Sequence, residues 1–147
     1  MDYTKDIDKL RHSCSHVLAQ AVKELWPEVK VAIGPAIDTG YYYDFDKQEP
    51  FTDADLAAIT RGMQKIINRN LPLVQSSMDR KAAAGFFRQQ GETYKAELAD
   101  GITDEQVSIF TTGAGEFVDL CKGPHVASTN EIKAFKLPII MSFAKTI

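Results

Sequence analysis

The chain has 147 residues and a net charge of -3, from 17 basic and 20 acidic side chains. A composition of 44% hydrophobic and 25% charged residues is that of a globular protein, which excludes a disordered or collagen-like chain. No apolar run approaches the roughly 18 residues that cross a bilayer, and the acidic balance argues against a protein that coats nucleic acid through bulk charge.

The length fits one domain over residues 1–147, without room for a second sizeable core. The opening Met1-Asp2-Tyr3-Thr4-Lys5-Asp6 is polar and acidic, unlike a signal peptide. Cys14 and Cys121 are too few for a disulfide scaffold, so a reducing, cytoplasmic setting is expected, with no membrane partner.

Residues 8–26 read as a helix. Leu10, Cys14, Val17, Leu18, Ala21 and Leu25 recur at helical spacing, Asp8 can cap the start and Pro27 closes the end. Residues 29–33 and the aromatic run 41–45 read as a hairpin-like pair of strands around Gly34-Pro35 and Asp38-Thr39-Gly40. Thr52 and Asp55 form a capping box before a second helix with the stripe Leu56, Ile59, Met63, Ile66 and Ile67. A strand over 71–78 follows, with Pro72 near its start, where a ladder tolerates it. Asp79 caps a third helix through Gln90, and Gly91 stops it. Residues 93–98, 107–112 and 116–121 read as strands, with Gly113-Ala114-Gly115 turning the last two into a hairpin. Residues 132–140 read as a final strand weakened by Pro138. Helices and strands mix without strict βαβ alternation, so the class is α+β: a mostly antiparallel sheet with packed helices.

All three histidines and one of the two cysteines fall into two four-spaced pairs, His12/His16 and Cys121/His125. On a helix, residues i and i+4 lie one turn apart on one face. With Leu10 at zero and about 100° per residue, the apolar stripe centres near 30° and the two histidines fall near 200° and 240°. They point together, away from the stripe, while Cys14 points with it as a small core residue. Between Cys121 and His125, Gly123-Pro124 imposes a turn that lets the two converge. Strand alternation places Phe117, Asp119 and Cys121 on one face, so Asp119 flanks the same site. Such pairs suit shared metal coordination or acid-base work. Taken alone, either pair could be an exposed helix face or an ordinary turn; together they point to a site.

These residues, in this order, resemble the editing domain of threonyl-tRNA synthetase. The resemblance rests on Arg-His-Ser-Cys-Ser-His at 11–16, Leu-Trp-Pro at 25–27, Ala-Ile-Gly-Pro at 32–35 and Gly-Tyr-Tyr-Tyr-Asp at 40–44. It continues through Gly-Glu-Thr-Tyr-Lys at 91–95 and Val-Asp-Leu-Cys-Lys-Gly-Pro-His at 118–125, and runs from about residue 10 to about 137. It implies an aminoacyl-tRNA hydrolase that cleaves the ester of mischarged seryl-tRNA(Thr), with the serine-bearing acceptor end of tRNA(Thr) as partner. Serine is threonine less one methyl, which supplies only about 1–3 kcal/mol of discrimination, so a second sieve is needed.

By the resemblance, His12 and Lys95 orient or activate the attacking water, and His16, Cys121 and His125 surround the ester and the seryl group. Asp119 contacts the substrate amine or hydroxyl, and Gly34 and Tyr43 lie on the adenosine side. Read without the resemblance, Lys95 is a solvated strand lysine and Tyr43 a core residue. The related alanyl-type domains are zinc sites with the same paired motifs, whereas the threonyl-type domains imply a metal-free general base. The metal-free reading is favoured, because Lys95 beside four candidate ligands would repel a dication; if zinc binds, its ligands are His12, His16, Cys121 and His125. Two alternatives remain: a structural zinc-binding module and a non-catalytic tRNA-binding module. The 147 residues hold no aminoacylation core, and the tail 138–147 lacks the family's Gly-rich aromatic continuation. The chain therefore reads as an excised domain, a truncated product or a free-standing deacylase, which Met1 permits. The charge is uneven: residues 61–95 carry net +5, with Arg61, Lys65, Arg69, Arg80, Lys81, Arg88 and Lys95. Lys122 adds a cation beside His125, a local patch suited to the end of a tRNA.

Overall fold

The computed structural model describes residues 3–31, 36–37, 40–41, 44–135 and 141–143, with side chains over 7–31 and 44–135. The elements run α1 (Tyr3–Leu25), β1 (Lys30–Val31), β2 (Ala36–Ile37), β3 (Gly40–Tyr41), β4 (Asp44–Asp46), α2 (Asp53–Asn68), β5 (Leu73–Asp79), α3 (Arg80–Gln89), α4 (Thr93–Asp100), β6 (Gln106–Thr112), β7 (Phe117–Leu120), a 3-10 turn (Thr129–Glu131) and β8 (Met141–Phe143). The class is α+β, as expected.

One sheet orders β5-β6-β7, all antiparallel, with Ile109 opposite both Ser76 and Leu120. The β6–β7 connection is the expected hairpin around residues 113–115. A second sheet orders β1-β4-β8; β1 and β4 pair antiparallel, while β8 joins β4 in parallel. β2 and β3 form a separate antiparallel pair.

α1 begins five residues before the expected start, and its middle is buried all round rather than along one stripe. Residues 13–22 are all buried, whereas Leu10 and Leu25, both assigned to the stripe, are exposed. The reason is position: α2 packs on one side through Ile59, Met63, Ile66 and Ile67, and the turn after β7 closes over another. α2 begins at the expected capping box, where Thr52 Oγ1 accepts from Asp55 N and Asp55 Oδ2 accepts from Thr52 N. Asp79 caps α3 by accepting from Lys81 N and Ala82 N. Gly91 follows with φ +79°, a conformation that favours glycine.

Two expected strands are corrected. Residues 93–98 are helical, within α4. Lys95, Ala96 and Ala99 are buried at helical spacing, and Ala96 and Ala99 pack with Ala83, Ala84 and Phe87 of α3. The apparent alternation misled because Leu98, which a strand would bury with Ala96, is exposed. Residues 132–135 carry no regular structure: Ser128 and Glu131 form a capping box that turns the chain, and Ile132 anchors it in the core. The rest of that expected strand, 136–140, lies outside the described residues, and β8 begins just beyond. Among the described residues, no helix is long and apolar enough to cross a membrane.

Candidate functional site

The two four-spaced pairs meet. α1 supplies His12, Ser13 and His16; the turn after β7 supplies Cys121 and His125. One ligand atom each from His12, His16, Cys121 and His125 lies within 4.8 Å of the others. The turn is bent by Gly123, whose φ is +80° and whose peptide bond to Pro124 is cis. A Cβ at Gly123 would stand 2.9 Å from Phe110 Cε2, and Phe110 in turn packs edge-on against the His125 ring at 4.4 Å.

Cys121 Sγ sits 3.2 Å from both His12 Nε2 and His125 Nε2, and accepts from Gly123 N at 3.2 Å. His12 Nδ1 donates to the Pro124 carbonyl at 3.3 Å. Ser13 Oγ lies 3.0 Å from His125 Nδ1 and accepts from Val126 N at 2.9 Å. The His12 and His125 rings stack with centroids 4.1 Å apart. Burial, with the neighbouring His16, lowers the pKa of His12 to about 4; burial, His16 and His12 lower that of His125 to about 2. Burial pushes the Cys121 thiol up to about 12. Near neutrality the cluster is therefore two neutral imidazoles around a thiol.

Beside it runs a second line of polar groups. Asp119 Oδ2 is 3.0 Å from His16 Nε2, and Asp119 Oδ1 is 3.3 Å from Lys95 Nζ. Lys95 also donates to the Val118 carbonyl. Phe117 walls this line, edge-on to His16 at 5.4 Å, with Lys95 Nζ 4.5 Å above its ring. His16 is 1% exposed. Among the described residues neither of its ring nitrogens makes an aligned hydrogen bond, the Asp119 oxygen being close but off the N–H direction.

Six of the eight expected site residues, His12, His16, Lys95, Asp119, Cys121 and His125, are thus brought together. Gly34 and Tyr43 lie outside the described residues. Two bottom-up expectations are corrected. Lys95 is 2% exposed on a helix, not solvated on a strand. His16 points into the interior, because α1 is covered on more than its apolar stripe. Sequence reasoning missed Ser13, fully buried between the histidines; its place next to His12 was the only signal. It also missed Glu92, whose buried carboxylate accepts from Val31 N and pairs with Lys23 at 2.7 Å. That knot ties α1, β1 and the start of α4, and so holds the helix that carries Lys95.

The four donors suit zinc. Their ligand atoms lie close enough to share one ion, and the nitrogens of His16 have no aligned partner among the described residues. The charge argument against a dication is weakened, since the Lys95 ammonium is paired with Asp119. The larger cleft, about 550 Å³ between Trp26 and Glu49, is lined by none of these groups. A cavity of about 360 Å³ lined by Lys95, Phe117, Phe87 and Glu92 adjoins the site instead.

Residues 107–138, which include Cys121 and His125, match the family model of the threonyl and alanyl tRNA synthetase second additional domain. Over most of its length the chain is similar to a region of threonine-tRNA ligases, which with the family match supports a threonyl-tRNA synthetase editing-domain region. It is 52% identical over 132 residues to a threonine-tRNA ligase of Nitrosomonas eutropha, covering 89% of this chain and 20% of that one. It is likewise 52% identical over 134 residues to the enzyme of Syntrophomonas wolfei, covering 91% and 20%. A third, from Lawsonia intracellularis, is 46% identical over 137 residues, covering 93% and 21%. The chain thus spans about a fifth of the length of these relatives.

Proposed function

We propose that residues 1–147 form one editing domain that hydrolyses the aminoacyl ester of seryl-tRNA(Thr), alone or within a longer synthetase. The observation that carries this reading is the convergence of His12, Cys121 and His125 next to the Lys95–Asp119–His16 line. Ester hydrolysis needs a group to take a proton from water and a charged frame to hold the substrate. His12, held neutral and partly exposed, suits the base. Lys95, engaged by Asp119 and the Val118 carbonyl, suits fixed positive charge better than proton transfer. Asp119 suits the seryl amine. The relatives' name, threonine-tRNA ligase, supports tRNA as partner; serine, threonine less one methyl, is the amino acid that a threonine site rejects least well.

Were zinc held by His12, His16, Cys121 and His125, it would supply Lewis-acid polarisation of the ester carbonyl. The metal-free reading keeps the same residues, with His12 as base. The structural-zinc alternative differs in outcome: stripping the metal would unfold the chain rather than only stop hydrolysis.

The test is deacylation of seryl-tRNA(Thr) against threonyl-tRNA(Thr), with tRNA binding measured alongside. Faster loss of serine than in buffer is expected. Binding without cleavage would support the non-catalytic alternative and overturn the hydrolytic one.

A further inference from the structure

The cluster's hydrogen bonds have a direction, and both ends fix it. At one end Val126 N–H can only donate, and it donates to Ser13 Oγ. At the other the Pro124 carbonyl can only accept, and it accepts from His12 Nδ1. A neutral His12 has one N–H, so its Nε2 carries a lone pair. The Cys121 thiol has one proton and two imidazole nitrogens at 3.2 Å, His12 Nε2 and His125 Nε2.

Suppose the thiol donated to His125. His12 Nε2 would then face sulfur with no proton between them. His125 would have to donate from Nδ1 to Ser13, whose hydroxyl proton would be stranded without an acceptor among the described residues, at a fully buried side chain. In the opposite sense each contact holds one proton. Val126 N–H donates to Ser13 Oγ, Ser13 O–H to His125 Nδ1, His125 Nε2–H to Cys121 Sγ, Cys121 S–H to His12 Nε2, and His12 Nδ1–H to the Pro124 carbonyl.

We propose that Ser13 is a positioning residue that sets the direction of this relay, so that at Cys121 the His12 Nε2 accepts and the His125 Nε2 donates. The two histidines then have opposite jobs although they stack on each other and share a cysteine. The consequence for catalysis rests on the hydrolytic reading; the relay itself rests on the hydrogen-bond geometry of neutral imidazoles and a neutral thiol. In that reaction water takes the place of the Cys121 thiol at His12 Nε2: its oxygen bonds to the ester carbon, and its proton passes to the lone pair the thiol has left. The ester C–O bond breaks, and the ribose oxygen leaves with that proton. His125 Nε2–H, once it turns from Cys121 Sγ to the substrate, is the donor for the carbonyl oxygen as charge gathers there. Ser13 touches no reacting atom and acts through His125.

Long-range proton–nitrogen correlation spectra of the histidine-labelled, chelator-treated chain at neutral pH read each tautomer directly. The expected pattern is Nδ1–H for His12 and Nε2–H for His125. In Ser13→Ala the His125 pattern should move toward the other tautomer while that of His12 stays, and kcat for deacylation should fall on the order of tenfold. A wild-type His125 carrying its proton on Nδ1, or a His125 pattern unmoved in Ser13→Ala, overturns the proposal. Should the variant fail to fold, the wild-type spectrum decides. The expected spectra from a protein that does not deacylate seryl-tRNA would leave the relay standing and remove the hydrolytic reading.

Discussion

His12 and His16 are one helical turn apart, yet they differ in what they can tolerate. His12 reaches the surface and, among the described residues, its ring bonds a carbonyl and a sulfur. His12→Ala should leave the fold intact and reduce deacylation about 10²- to 10⁴-fold, the range for one proton-transfer group; rates with matched melting curves check it. The same residue scale sets a pH dependence of stability. Unfolded imidazoles take up protons near 6.5, whereas folded His12 does so only near 4 and His125 near 2. Between these values the unfolded chain binds more protons, so acid favours unfolding. With respect to these imidazoles, stability should be full above pH 6.5 and fall as pH drops toward 4, by at most about 1.4 kcal/mol per pH unit for each imidazole, less for His12, which solvent partly screens. Denaturant midpoints near pH 7 and near pH 5 test this, and equal midpoints would contradict it.

At the scale of elements, α4 and the turn after β7 carry the site. α4 delivers Lys95 to Asp119 from the interior, so the pair breaks badly when one partner is lost. Lys95→Met should cost about 3–5 kcal/mol of stability, because it leaves the Asp119 carboxylate buried with less compensation. Denaturant unfolding of the variant measures the loss, and a change under 1 kcal/mol, roughly that of a surface pair, would show the pair to be solvated. In the turn, Gly123 is needed twice, for φ +80° and for the space beside Phe110. Gly123→Ala should destabilise the chain by roughly 1–3 kcal/mol and, by moving His125, lower activity further than the stability loss alone explains. Melting temperature and initial rate on one preparation separate the two.

Across the whole molecule, the site joins segments more than a hundred residues apart, which gives metal binding a global signature. Zinc would tie α1 to the 121–125 turn and displace the Cys121 thiol proton, whose pKa is about 12. Titration calorimetry in two buffers of different ionisation enthalpy should report about one proton released per zinc and an affinity that rises with pH. Melting temperature should rise with free zinc. Proton release of zero would remove Cys121 from the ligand set. The charge pattern also changes at this scale. Within the basic block, Arg69 pairs with Glu24, Arg88 with Asp100 and Lys95 with Asp119, and Arg80 donates to the Ile102 carbonyl. That leaves Arg61, Lys65 and Lys81 of the block, with Lys122 outside it, as the cations of choice for a phosphate-contact test.

The sequence by itself determined the elements whose signals are local. The Thr52/Asp55 box, the Asp79 cap and the 113–115 turn each act through neighbours along the chain, so α2, α3 and the β6–β7 hairpin were legible from a few residues. The paired histidine and cysteine motifs were legible for the same reason, since four-residue spacing on a helix or across a Gly-Pro turn fixes proximity. Only the tertiary structure decided what lies across those segments. It made α4 a helix, because Ala96 and Ala99 find α3 to pack against, and propensity is weak against such burial. It buried His16 and Lys95, because burial depends on what covers a helix and not on the helix's own period. And it set Ser13 against His125, 112 positions away, where a hydroxyl too ordinary to notice in the sequence becomes the group that orients a histidine.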